Sequence, residues 1–165
     1  MENTYIGLGS NLADPSAQVE AGLAALAKLP ATRLVARSRR YRSAPWGRVD
    51  QPEFVNAVAQ LATALTPREL LDHLLTIERV AGRERDGTRW GPRVLDLDIL
   101  VYGDRVLNES GLHVPHPHLH ERAFVLYPLA EIAPLKVHPV LGKTVGELKD
   151  LLPFDSSIVP VGDTN

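Results

Sequence analysis

The sequence predicts an α/β (α+β) fold, a ferredoxin-like sandwich with a mostly antiparallel central sheet flanked by helices. Three observations carry this. Apolar residues alternate with a period of two in some segments and recur at helical spacing in others, in the order strand, helix, strand, strand, helix, strand, hairpin, helix, helix. The first two helices sit where crossovers of a split βαβ arrangement belong. Thirteen prolines and twelve glycines fall mostly between the periodic segments. With 165 residues there is room for one domain with a core, and not comfortably for two. Residues 1–154 are expected to form it, and residues 155–165 a loose tail.

Tyr5 to Leu8 reads as a short strand. Asp14-Pro15 then opens a helix, with Asp as cap and Pro at the first helical position. Val19, Leu23 and Leu26 give that helix one apolar face, and Pro30 ends it. Leu34 to Tyr41 is strand-like though rich in Arg, and Phe54 to Leu65 is a longer strand. Thr66-Pro67-Arg68-Glu69 is a capping box leading into a helix with Leu70, Leu74 and Ile77 inward. Leu95 to Tyr102 is the clearest core strand, and Gly103-Asp104 the turn of a hairpin to Val106. Glu121 to Tyr127 suits a short helix that Pro128 ends or kinks. Thr144 to Glu147 is a second capping box. Three loops, Gly9 to Pro15, Ser43 to Pro52 and Gly82 to Pro92, are candidates for mobile lids over a site.

Composition narrows the function. Twenty acidic and eighteen basic residues leave a formal charge of −2, which argues against a coat for nucleic acid or an acidic membrane. The chain has no cysteine, so disulfides, thiolate metal sites and cysteine nucleophiles are out. No segment reaches membrane-spanning length, and the acidic start does not read as a signal peptide, so a cytoplasmic protein is expected. Fourteen of the eighteen basic residues are Arg, which a high-GC genome or phosphate handling would each produce.

Asp96 and Asp98 share one strand face, about 7 Å apart along the chain. Leu95, Leu97 and Ile99 face the other way, into a core. Two such carboxylates repel, and a shared hard cation such as Mg²⁺ relieves the repulsion. A solvated edge strand carries the same pattern with no metal. Arg83, Arg85, Arg89 and Arg93 lie just upstream around Trp90-Gly91-Pro92, and acids beside an Arg-loaded loop suit phosphoryl transfer. Two phosphate motifs fail. Gly142-Lys143-Thr144 lacks the first glycine of a P-loop, and Gly7 to Leu12 lacks the third glycine of a dinucleotide fingerprint. Gly9 is read instead as a tight turn. Four of the six histidines, His113, His116, His118 and His120, lie in a proline-rich stretch without an acid or cysteine to complete a zinc site. A neutral hydrogen-bonding or nucleotide-contacting role is expected of them, while His118 and His120 are also suited to plain surface positions. Phe54 and Asn56 share a strand face, and an aromatic beside an amide can read a flat heterocycle. Phe54 and Phe124 are equally suited to core packing.

Arg89-Trp90-Gly91-Pro92-Arg93-Val94-Leu95-Asp96-Leu97-Asp98-Ile99-Leu100 resembles the signature of the hydroxymethyldihydropterin pyrophosphokinases of folate biosynthesis. Tyr5 to Leu12, Asp50 to Asn56, Val114-Pro115-His116 and Arg122-Ala123-Phe124 resemble further family segments in the same order, so the likeness runs to about Phe154. The resemblance implies transfer of a pyrophosphoryl group from ATP to the hydroxymethyl group of the reduced pterin, with release of AMP. It implies Asp96 and Asp98 as ligands of two Mg²⁺ ions, and Arg83 and Arg93 as catalytic arginines. It implies pterin contacts from Ser43, Ala44, Trp46, Phe54, Asn56 and Phe124. Nucleotide contacts are implied for Glu78, Arg83, Trp90, Arg93, Ile99, His116 and Arg122. Small-molecule substrates, no nucleic acid, no membrane and a monomer are expected.

The chain also departs from the family pattern. Pro117, Gly111 and His113 replace Tyr, a basic residue and Thr of some members, Ser43-Ala44 replaces Thr-Pro, and Trp46 replaces a smaller aliphatic residue. Two other classes share this fold. A palm-type nucleotidyltransferase needs a third metal acid and a basic groove. An RNA-binding module needs exposed aromatics on central strands, where this chain has acids.

Overall fold

The computed structural model describes residues 1–12, 14–43, 53–83 and 94–161. Its elements are β1 (Glu2–Ser10), α1 (Pro15–Ala27), β2 (Thr32–Arg37), β3 (Tyr41–Ser43), β4 (Phe54–Thr63), α2 (Pro67–Arg83) and β5 (Asp96–Tyr102). After these come β6 (Leu107–Glu109), β7 (Leu112–Val114), a 3-10 turn (Leu119–Glu121), α3 (Ala123–Ile132), α4 (Val145–Leu151) and β8 (Val159–Pro160). The main sheet runs β5-β1-β4-β3-β8, with β2 also paired to β4. All its pairings are antiparallel. This is the sandwich that the alternation of periods predicts.

The sheet has two differently covered faces. Val19, Leu23 and Leu26 of α1 and Leu70 and Leu74 of α2 bury one face, against Ile6, Leu8, Ala57, Leu61, Leu97 and Ile99. α1 lies close because Gly22 has no side chain: a Cβ there would sit 3.0 Å from Leu8 and Leu95. α3 and α4 cover part of the other face, packing Leu126, Leu129, Val145 and Leu148 on Tyr5, Val58, Leu100 and Val101. A bulge in β5 makes this possible. Ile6 pairs with Ile99 and Tyr5 with Val101, so Leu100 is an extra residue and both it and Val101 reach the second core.

Local chemistry sets the ends. Asp14 accepts from the Ala17 N–H at 3.3 Å, in front of Pro15 at the start of α1. Both capping boxes form: the Glu69 N–H donates to Thr66 Oγ1 and the Thr66 N–H to Glu69 Oε1, and Thr144 and Glu147 repeat the exchange.

Four expectations change. The Leu34–Tyr41 strand is broken, because Ser38 Oγ takes the Val58 N–H at 2.9 Å in place of a ladder carbonyl. Tyr41 then restarts the pairing, its hydroxyl donating to Glu131 at 2.6 Å. Burial and that acceptor push the Tyr41 phenol up to about 12. The expected hairpin to Val106 does not pair with β5. Gly103, at φ 54°, leaves the sheet with its N–H on Asn3 O and its own carbonyl on Lys136 Nζ, and β6 and β7 pair only with each other. Pro128 does not end its helix. α3 runs on to Ile132, forgoing one intrahelical bond while the proline itself is buried. Finally, residues 155–161 are not loose. Ile158 is buried, the Asp155 N–H donates to Tyr127 Oη at 3.0 Å, and β8 pairs with β3.

The Thr144 box closes the short helix α4 against the second core. Thr144→Ala is expected to cost about 1 kcal/mol. It should lower the melting temperature by roughly 2–5 °C in a calorimetric scan, with no change in the secondary-structure spectrum.

Candidate active site

The part of the second face that α3 and α4 leave open is a cleft of about 1300 Å³. Its floor is backbone. Gly9 pairs with Asn56 on one side and Asp96 on the other, and Gly7 with Val58 and Asp98. Directly paired residues of an antiparallel sheet project to the same face, so the acids of β5 and the amide of β4 look across a strip of β1 without side chains. Two strand spacings separate them, about 10 Å. Gly9 is therefore inside β1 and not in a tight turn. A Cβ on it would fall 2.7 Å from Asn56 Nδ2, which lies over the strand and reaches Leu8 O at 3.5 Å.

At the β5 end, Asp96 and Asp98 are exposed, while Leu97 and Ile99 are buried on the opposite face. The Leu97 N–H between the two acids points away from β1 and donates to Glu78 Oε2 of α2 at 2.7 Å. Glu78 thus fastens the sheet edge under the acid pair. His116 and Arg122 line the same end. The His116 N–H donates to the carbonyl of the bulge residue Leu100 at 2.9 Å, so the β5 bulge sets the position of this histidine. Burial holds the His116 imidazole below its ordinary pKa. Asp98 works against this, and Arg122 and His118 with it, so the ring is neutral near pH 7. The other histidines have local partners: His113 meets Asn108 and His118 meets Glu121, each at 2.8 Å.

At the β3–β4 end the cleft is lined by Ser43, Phe54, Asn56 and Phe124. Ser43 pairs with Phe54 across the two strands. Arg122 lies 5.7 Å from the centre of the Phe124 ring and so joins the two ends.

Among the expected site residues, nine are placed. Ser43, Phe54, Asn56, Asp96, Asp98, His116, Arg122 and Phe124 line the cleft, and Glu78 stands behind its acid edge. Ile99 is different. Its side chain is 6% exposed in the first core, so only its backbone, at the outer edge of β5, can meet a ligand. Arg83 is the last residue of α2, and its side chain, with Ala44, Trp46, Trp90 and Arg93, lies outside the described residues. So do most of the Ser43–Pro52 and Gly82–Pro92 loops. Sequence reasoning missed Gly7 as floor and residues 152–158 as wall. Glycines at alternate positions of a strand were the available sign of a close approach there.

The donor set suits a hard divalent cation. Two exposed carboxylates stand on one face of a strand, above a floor that no Cβ fills.

With that geometry in view, likenesses to known proteins become specific. Residues 5–134 match the model of the 7,8-dihydro-6-hydroxymethylpterin-pyrophosphokinase family. The chain belongs to this family. A 2-amino-4-hydroxy-6-hydroxymethyldihydropteridine pyrophosphokinase of Pseudomonas aeruginosa is 52% identical over 155 residues, covering 94% of each chain. The enzyme of the same name from Methylorubrum extorquens is 48% identical over 147 residues, or 89% of this chain and 91% of that one. A crystal structure of Plasmodium falciparum HPPK-DHPS superposes with a TM-score of 0.73 at 14% identity, over 91% of this chain. The chain spans 43% of that longer one, and the likeness shows the shared fold.

The Gly9 contact yields a test. Gly9→Ala displaces a flexible amide rather than backbone, so the melting temperature should stay within roughly 2 °C. Asn56 should be pushed out of line, and affinity for a heterocycle such as a pterin should fall roughly tenfold by calorimetric titration.

Proposed function

We infer that this chain transfers a pyrophosphoryl group from ATP to the hydroxymethyl group of 6-hydroxymethyl-7,8-dihydropterin, releasing AMP in folate biosynthesis. The observation that carries the reading is the juxtaposition across bare β1. A carboxylate pair stands on one side and the Asn56 amide on the other, in a cleft that Phe54 and Phe124 also line, in a chain of this family. The pterin lies between Phe54 and Phe124, where its rings stack and Asn56 pairs with its polar edge. Ser43, Ala44 and Trp46 complete that end. The triphosphate lies toward β5. Asp96 and Asp98 would hold two Mg²⁺ ions, which would supply positive charge against the triphosphate.

The chain's own residues do the rest. Glu78, Trp90, the Ile99 backbone, neutral His116 and Arg122 orient the nucleotide. Arg83 and Arg93 stabilise the charge that grows as the pyrophosphoryl group passes to the pterin oxygen. The hydroxyl attacks the β-phosphorus, the bond to the α-phosphate oxygen breaks, and AMP leaves. A primary alcohol is a poor nucleophile, yet no dedicated base is needed for a loose transition state in which positioning and charge neutralisation dominate. The enzyme acts on small molecules as a cytoplasmic monomer. The net charge of −2 argues against a nucleic-acid partner. Among the described residues no helix is long and apolar enough to cross a membrane.

Incubation with ATP, Mg²⁺ and the hydroxymethyl pterin should yield AMP and the pterin diphosphate, read by chromatography; ADP instead would refute attack at the β-phosphorus. Asp98→Ala should lose at least roughly 100-fold in turnover with an unchanged fold, as removal of a charge-stabilising group does. Arg83→Ala should slow single-turnover chemistry by roughly 100-fold while ATP affinity changes far less. A loss confined to ATP binding would remove Arg83 from the chemical step.

A further inference from the structure

The chain has three phenylalanines, and all three line the same cleft. Phe54 and Phe124 have their places in the reading above; Phe154 has none. It is 82% exposed, whereas Phe54 is 37% exposed and Phe124 is partly buried against the second core. Its position is nevertheless held from both sides. Before it, α4 ends at Leu151 and Pro153 prevents the helix from continuing. After it, the Asp155 N–H donates to Tyr127 Oη on α3 at 3.0 Å. Asp155 Oδ1 accepts from both the N–H and the hydroxyl of Ser157, at 2.9 and 2.6 Å, which ties the following turn. Ile158 is buried, β8 pairs with Tyr41 and Arg42, and the Val161 N–H donates to Arg40 O at 2.8 Å.

Residues 154–158 therefore form a strap from α4 to the outer edge of β3. β3 is the strand that carries Ser43 beside Phe54, so the strap lies at the heterocycle end of the cleft and not at the acid end. The Asp155 Oδ1 contacts are spent on the strap's own turn. The strap's one large apolar group with open surface at the cleft is Phe154.

We propose that Phe154 is a specificity-determining contact for the flat heterocyclic substrate, closing on the outer part of the ring system that Phe54 and Phe124 hold from within. The proposal rests on the pyrophosphokinase reading of the cleft. Its ligand class is a planar bicyclic heterocycle, and its effect falls on that substrate and not on ATP.

The test compares the full-length wild-type chain with Phe154→Ala and Phe154→Tyr, following AMP formation at varied pterin and at varied ATP. For Phe154→Ala the pterin KM should rise about 5-fold, as loss of an aromatic contact gives, with kcat and the ATP KM unchanged. Phe154→Tyr, which keeps the ring, should stay within about 2-fold of wild type. Melting temperatures of all three should agree, since the side chain is 82% exposed. An unchanged pterin KM in Phe154→Ala overturns the proposal, as does an equal rise in the ATP KM. The two readings fail separately. A wild-type chain that forms no AMP refutes the pyrophosphokinase function, whereas an active wild type with an indifferent Phe154→Ala refutes the strap contact alone.

Discussion

Everything at the site depends on the pairing of β1 with two partners at once. Its backbone is bonded to β4 on one side and β5 on the other, and its glycines at 7 and 9 lie between Asn56 and Asp96 and between Val58 and Asp98. Glycine inside a strand costs about 0.5–1 kcal/mol each in lost chain entropy. The opposite face offsets this, because Ile6 and Leu8 between and beside the glycines are almost wholly buried beneath α1. One strand is thus a packed core element below and bare backbone above. That combination leaves an open floor between Asn56 and the acids of β5.

The helices divide their work accordingly. α1 and α2 seal the first face, and α2 also sends Glu78 to the outer edge of β5. An exposed sheet edge would otherwise leave the Leu97 N–H without a ladder partner, next to the acids. α3 and α4 seal only half of the second face. The bulge at Leu100 marks the border: above it β5 packs on α3, and below it β5 presents Asp98 and Asp96. The same bulge turns the Leu100 carbonyl to the His116 N–H. Core packing and the placement of a site residue are set by one irregularity.

The arginine excess is divided in the same way. Arg37 and Arg40 meet Glu20, Arg39 meets Glu131 and Arg68 meets Glu109, while Arg105 lies over Tyr102. These are mostly exposed pairs, which solvent screens and which add little to stability. They give local reasons for arginines that composition alone leaves unexplained. Arg122 is the one that the described structure brings into the cleft, over Phe124. Near-neutral net charge is compatible with local clustering of charge, since Asp96, Asp98 and Arg122 line one cleft.

Element order, the two capping boxes, the acid pair on one strand face and the inward Leu97 and Ile99 were legible in the sequence. Each depends on a local rule of period or capping that neighbours in the chain satisfy by themselves. The twelve-residue signature carried the family for the same reason, since its residues are contiguous. The break at Ser38, the bulge at Leu100, the helix running through Pro128 and the anchoring of residues 155–161 were not legible. In each, tertiary surroundings supply what the local chain lacks: Val58 for Ser38, Tyr5 and Ile6 for the bulge, burial for Pro128, Tyr127 and Arg40 for the strap. The sequence by itself determined which residues could do chemistry. Only the tertiary structure decided that Asn56 and the acids face each other, because register between strands forty residues apart is set by packing and backbone pairing, not by local propensity.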